Sequence, residues 1–74
     1  MKHQIVLSER EVWSLPQPDK SIRVLEGTAW VSEGGRDFIL LAGDQFKGQT
    51  HRDKVVISAA RNRGQLVIEL IEVA

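Results

Sequence analysis

Apolar residues recur along this chain at alternate positions or in short runs, and each run is cut off by a turn signal. Turn residues cluster at Pro16-Gln17-Pro18-Asp19, Glu26-Gly27, Gly34-Gly35, Ala42-Gly43-Asp44, Arg52-Asp53 and Asn62-Arg63-Gly64. Short β-rich runs between closely and evenly spaced turns are the mark of a sandwich or barrel. No window sustains the 3.6-residue period over the ten or more residues that a helix needs. The pattern predicts strands at about His3–Leu7, Glu11–Leu15, Ser21–Leu25, Thr28–Glu33, Phe38–Leu41, Gln45–Gln49, Lys54–Ala60 and Gln65–Val73. The expected class is all-β: seven or eight short antiparallel strands in a small barrel or sandwich.

The hairpin around Gly34-Gly35 is the most sharply specified unit. Two glycines accept the positive φ of a tight two-residue turn, so the flanking strands should pair outward from it. That register sets Glu33 against Arg36, then Ser32 against Asp37, Val31 against Phe38, Trp30 against Ile39 and Ala29 against Leu40. Facing residues share one side of a sheet. Val31, Phe38, Ala29 and Leu40 therefore form one apolar patch, while Trp30 and Ile39, joined by Thr28 and Leu41, form a second on the opposite side.

The last strand repeats the theme. Leu66, Ile68 and Leu70 lie on one side, with Val67, Ile71 and Val73 on the other. Antiparallel sheets commonly leave one face polar, and a domain this small cannot easily bury both faces of several strands. One apolar face is therefore expected to be a subunit interface, with Trp30, Ile39 and Leu41 as its candidates. A homodimer is the expected assembly, because two-fold dimers are the commonest oligomers. Trp30 has three readings at this stage: core, subunit interface, or a surface on which a ligand stacks. Trp13, just before Leu15-Pro16, is expected to plug one end of the barrel.

Seventy-four residues make one domain, spanning 1–74. A chain of that length buries only about 60% of the surface its unfolded form exposes, which leaves a thin stability margin. With no cysteine, no disulfide can widen that margin. Near the start the longest apolar run is Ile5-Val6-Leu7, well short of a signal-peptide core, and nothing approaches a membrane span. A soluble, cytoplasmic protein is the expectation. Ten basic and ten acidic residues cancel, which removes the long-range attraction on which nucleic-acid binding rests. Lys47, Arg52, Lys54, Arg61 and Arg63 face only Asp53 between Lys47 and Arg63. Mixed charge on exposed turns accounts for that, and nucleic acid is not an expected partner.

The candidate chemistry is sparse. His3 and His51 are the two histidines, too few for a usual histidine-based zinc or iron centre. His51, within Thr50-His51-Arg52-Asp53, reads as part of a polar turn. General acid–base work needs two carboxyl groups in different environments. The pairs on offer are Asp37 with Asp44 and Glu26 with Glu33, and both aspartates look like turn residues with Asx-type bonding. No serine stands with a histidine in a recognisable nucleophile arrangement, and Gly34-Gly35 precedes no helix that could cradle phosphate.

The segment Ile22-Arg23-Val24-Leu25-Glu26-Gly27-Thr28-Ala29-Trp30-Val31, followed by Leu40-Leu41-Ala42-Gly43-Asp44, resembles the central strands of cupin domains. It is most similar to small bacterial cupin-like proteins of unknown function, and the resemblance spans Ser21 to Ile57, roughly half the chain. It implies two facing antiparallel sheets and, as in many cupins, dimers. Metal-dependent cupins carry two histidines one residue apart, then a glutamate, and a further histidine in a second motif. Aligned on Gly27, Lys20 takes the glutamate position, and Trp13 with Leu15, or Ser14 with Pro16, takes the paired histidines. His51 is the counterpart of the last. The resemblance thus implies a cupin-like domain with neither metal nor other cofactor, which weighs against an enzyme.

Two functions compete. One is a non-catalytic module acting through self-association or protein contact. The other is a small-molecule binder, or diverged enzyme, with a barrel pocket near Trp30, Arg23 and His51.

Overall fold

The computed structural model describes residues 2–15, 21–48, 54–60 and 64–71, which form eight strands and no helix. These are β1 (Lys2–Leu7), β2 (Val12–Ser14), β3 (Ser21–Glu26), β4 (Thr28–Glu33), β5 (Arg36–Leu41), β6 (Gln45–Lys47), β7 (Val55–Ala59) and β8 (Leu66–Ile71). All eight expected strands are present. The β2 and β6 strands are shorter than the pattern predicts, because the ladders holding them, β2–β7 and β3–β6, run for only three pairs each. The β5 strand begins earlier, at Arg36, since pairing continues right up to the Gly34-Gly35 turn.

The strands form two four-stranded antiparallel sheets, ordered β1-β8-β3-β6 and β2-β7-β4-β5. The sheets stack without closing into a barrel, so of the two expected architectures the sandwich is the one adopted. Only the β4–β5 hairpin joins neighbours within a sheet; every other connection carries the chain across to the opposite layer. The hairpin pairs are those expected, from Glu33 with Arg36 to Thr28 with Leu41. Both turn glycines take positive φ, 57° and 82°.

Alternation in each strand decides what lies between the sheets. Ile22, Val24, Leu66, Ile68 and Leu70 point inward from the first sheet. They meet Ala29, Val31, Leu40, Val55, Ile57 and Ala59 from the second, and all are buried. Phe38 on β5 and Phe46 on β6 stack across the layers with centroids 5.2 Å apart, tilted by 48°. That tilted contact closes the β5/β6 side of the core. Trp13 packs half-buried against the same cluster, opposite Ile57.

Two crossings are built by backbone geometry. Leu25 is a bulge between Val24 and Glu26, and Gly27 alone then separates β3 from β4. Gly27 has φ +88°, and a Cβ there would strike the carbonyl oxygen of Gln65. The β5–β6 crossing is a turn in which the Asp44 N–H donates to the Leu41 carbonyl at 2.9 Å. In return the Leu41 N–H donates to Asp44 Oδ2 at 2.8 Å, so Asp44 is the turn residue its sequence context implied. Gly43, with φ 97°, supplies the positive angle that a type II turn needs at its third residue. Its N–H donates to the Val24 carbonyl, and the Val24 N–H donates to the Asp44 carbonyl, which ties the turn to β3.

Candidate functional site

The two outer faces of the sandwich differ in chemistry. Across the first sheet the register lines up Gln4, Glu69, Arg23 and Gln45 in one row. With the Gln45 amide oxygen turned towards it, the Arg23 guanidinium donates from Nε at 2.9 Å and also from Nη2. Glu69, opposite Arg23 in the ladder, is only 9% exposed. This central row is polar, while the row beside it pairs Val6, 54% exposed, with Val67.

Across the second sheet the equivalent row is Val12, Ser58, Trp30 and Ile39. Val12 is 62% exposed, Trp30 45% and Ile39 59%, and Leu41, one row along opposite Thr28, is 60% exposed. These four make up most of the large apolar side chains that the described residues expose, the others being Val6 and Leu25. Trp30 is thus not a core residue.

Grooves flank Trp30 on this face. One, of about 510 Å³, runs from Trp30, Ser58 and Ala59 to Val12 and the β1–β2 turn with Glu9, Arg10 and Glu11. A second, of about 260 Å³, is lined by Trp30, Ser32, Asp37, Val56 and Ser58. Ser58 belongs to both grooves, as does Trp30. The surface therefore carries a tall side chain directly beside a low point. The rim of the larger groove is held by a local clip: Ser8 donates its hydroxyl to Glu11 Oε1 at 2.7 Å and its N–H to the same oxygen at 2.9 Å. These bonds hold the Glu11 carboxyl below its ordinary value, the hydroxyl contributing most.

The structure gathers Trp30, Ile39 and Leu41 on one face, in adjoining rows. It does not bring Arg23 to Trp30, since they point outward from different sheets, and His51 lies outside the described residues. Val12, Arg10 and Ser58 complete the face and were not singled out from the sequence. The signal for Val12 was its neighbours. Trp13 and Leu15 pack inward, and strand alternation then sends Val12 out.

In a comparison with solved structures, the chain superposes on a cupin-2 domain containing protein from Shewanella frigidimarina NCIMB 400 with a TM-score of 0.60. The fold is cupin-like. The superposition covers 92% of this chain and 68% of that one at 14% sequence identity, so the likeness speaks to fold alone. No protein-family model and no curated protein matches the chain.

Cupin-like geometry raises the question of a metal, and the described side chains at the aligned positions, Trp13, Ser14 and Leu15, are not ones that would hold it as His or Glu would. Leu15 is buried in the core, Trp13 packs against it, and Ser14 is exposed on the outer side. Lys20, Pro16 and His51 lie outside the described residues. Among the described residues no three His, Asp or Glu side chains come together in a way that could hold an ion. The space between the sheets is filled by apolar side chains, mostly aliphatic with the Phe38–Phe46 pair at one side, and Ile22, Val24, Val31, Ile57, Leu66 and Ile68 are fully buried.

Proposed function

We propose that this chain is a cupin-like association module whose working surface is the outer face of the second sheet, and that this surface holds a second copy of the chain. The observation carrying the reading is the group of exposed apolar side chains Val12, Trp30, Ile39 and Leu41 on this face, set against the polar central row Gln4, Glu69, Arg23 and Gln45 of the other. Apolar surface removed from water is worth about 25 cal/mol per Å², and contiguous exposed patches of this kind mark interaction sites. A copy of the same chain is the partner of choice because formal charge sums to zero, so copies meet without net repulsion. The chain's two longer extents, 31 and 29 Å, give it a cross-section on the scale of the ~800 Å² per partner that a standard interface uses.

Sedimentation equilibrium tests this directly. Wild-type chain should be a dimer at micromolar concentration, and Trp30→Glu a folded monomer. A wild-type mass that stays monomeric to about 100 µM, a free energy near −5.5 kcal/mol, would remove the reading.

A second reading, small-molecule binding, is supported by the groove of about 510 Å³ beside Trp30, a volume typical of ligand sites. It would use Trp30 with Arg10 and Ser58, without Arg23. A thermal shift with one class of anionic aromatic metabolite, lost in Arg10→Ala, would favour it. A broad panel giving no shift would end it.

A further inference from the structure

The cross-strand register fixes how two such faces can meet. We infer that, if the chain pairs through this face as proposed above, the two-fold axis runs parallel to the strands between β4 and β7. Each Trp30 then seats over the partner's Ser58.

The reasoning starts from the row Val12, Ser58, Trp30, Ile39, which crosses the four strands in the order β2, β7, β4, β5. A two-fold axis lying along the strands, midway between β7 and β4, exchanges left and right within each row. It places Trp30 opposite the partner's Ser58, and Ile39 opposite the partner's Val12. Trp30 is the largest side chain of the row, and Ser58 is the low point shared by both grooves. Knob and hole thus lie on either side of the axis, the condition for a self-complementary two-fold interface. Close packing without voids is what such an interface requires.

The neighbouring row agrees. Ser14, Val56, Ser32 and Asp37 are in register, so the same axis sets the Asp37 carboxylate opposite the hydroxyl of the partner's Ser14. Leu41 falls towards the partner's Arg10, whose aliphatic stem can cover it while the guanidinium stays in water. An axis across the strands fares worse on both counts. It would stack Trp30 on the partner's Trp30, leave the low points at Ser58 unfilled, and press Asp37 against the partner's Leu41. A buried carboxylate facing only methyl groups is strongly unfavourable. The two sheets packed this way keep their strands nearly aligned, the usual mode for facing twisted sheets.

The chain has no cysteine, so single thiols can be introduced cleanly. Val12→Cys and Ile39→Cys, both at exposed positions, are prepared separately and mixed dilute so that subunits exchange. They are then treated with a short bis-maleimide that spans the ~10 Å between packed sheets. The mixture should give cross-linked dimer at about half of the total, with each variant alone giving less than a tenth of that. Cross-linking of Ile39→Cys to itself as efficiently as to Val12→Cys would overturn the axis. So would a sample that sediments as dimer but yields no linked species, and that result leaves self-association standing. A sample that sediments as monomer overturns both.

Discussion

Single residues set the crossings between the two layers, and Gly27 is the most constrained of them. Its φ of +88° is open to glycine and strained for other residues, and a Cβ would meet the backbone oxygen of Gln65, which has no side-chain freedom to yield. Gly35 has a similar φ, +82°, but open space around its missing Cβ. The pair separates backbone strain from collision. Gly35→Ala should cost about 1 kcal/mol and Gly27→Ala upwards of ~2 kcal/mol, each read as a lower urea midpoint at unchanged slope. Equal losses would mean that the Gln65 contact is relieved without cost. At the β1–β2 turn, Ser8 favours the charged form of Glu11. A carboxyl with a lowered folded value adds stability that is complete above its unfolded value and is lost as pH falls through the folded one. Ser8→Ala should therefore return the Glu11 carboxyl, followed by NMR titration, towards its ordinary 4.5. No movement would show that Ser8 is not the cause.

Elements differed in how much of them the sequence made legible, and the reason is range. The β4–β5 hairpin could be read pair by pair because a two-residue turn fixes register locally. Which of its faces lies inside could not be read the same way, since Val31-Phe38 and Trp30-Ile39 are comparably apolar. The non-local β4–β7 ladder decides it. Ser58 stands opposite Trp30 while Ile57 stands opposite Val31, so the outer side carries the hydroxyl. In β8 the same role falls to Glu69, which marks the side shared with Val67 and Ile71 as the outer one. The separation of Arg23 from Trp30 was hidden for a related reason: Gly27 moves the chain between layers, so seven positions in sequence end on opposite faces. Substitutions should reflect this division. Ile68→Ala, at a fully buried site, should cost about 2–5 kcal/mol. Ile39→Ala, at 59% exposure, should cost less than about 0.5 kcal/mol when unfolding is followed at protein concentrations low enough to keep the chain monomeric. A large loss at Ile39 under those conditions would place it in the monomer's own core.

At the scale of the whole molecule, the sandwich is a slab of 31 × 29 × 18 Å with one thin aliphatic layer inside. A chain of 74 residues gains limited stability from such a layer, so covering its second apolar face should register in the stability itself. Association that involves only the folded state stabilises by mass action. Each tenfold rise in concentration then adds about 1.4 kcal/mol per dimer. Shared between two small protomers, that is a rise in Tm of a few degrees. The melting temperature of the wild-type chain should accordingly climb between about 1 and 100 µM, a range over which the added term reaches ~2.8 kcal/mol per dimer. Because the contact is apolar, added salt should leave the climb largely intact, whereas an interface of charge pairs would weaken as screening shortens its reach. Ile39→Glu should melt below the wild type and lose the dependence, since the charge sits in water in the monomer and would be buried in the dimer. A wild-type Tm that stays flat across the range, with Ile39→Glu indistinguishable from it, would mean that this face is covered by some other partner or by none.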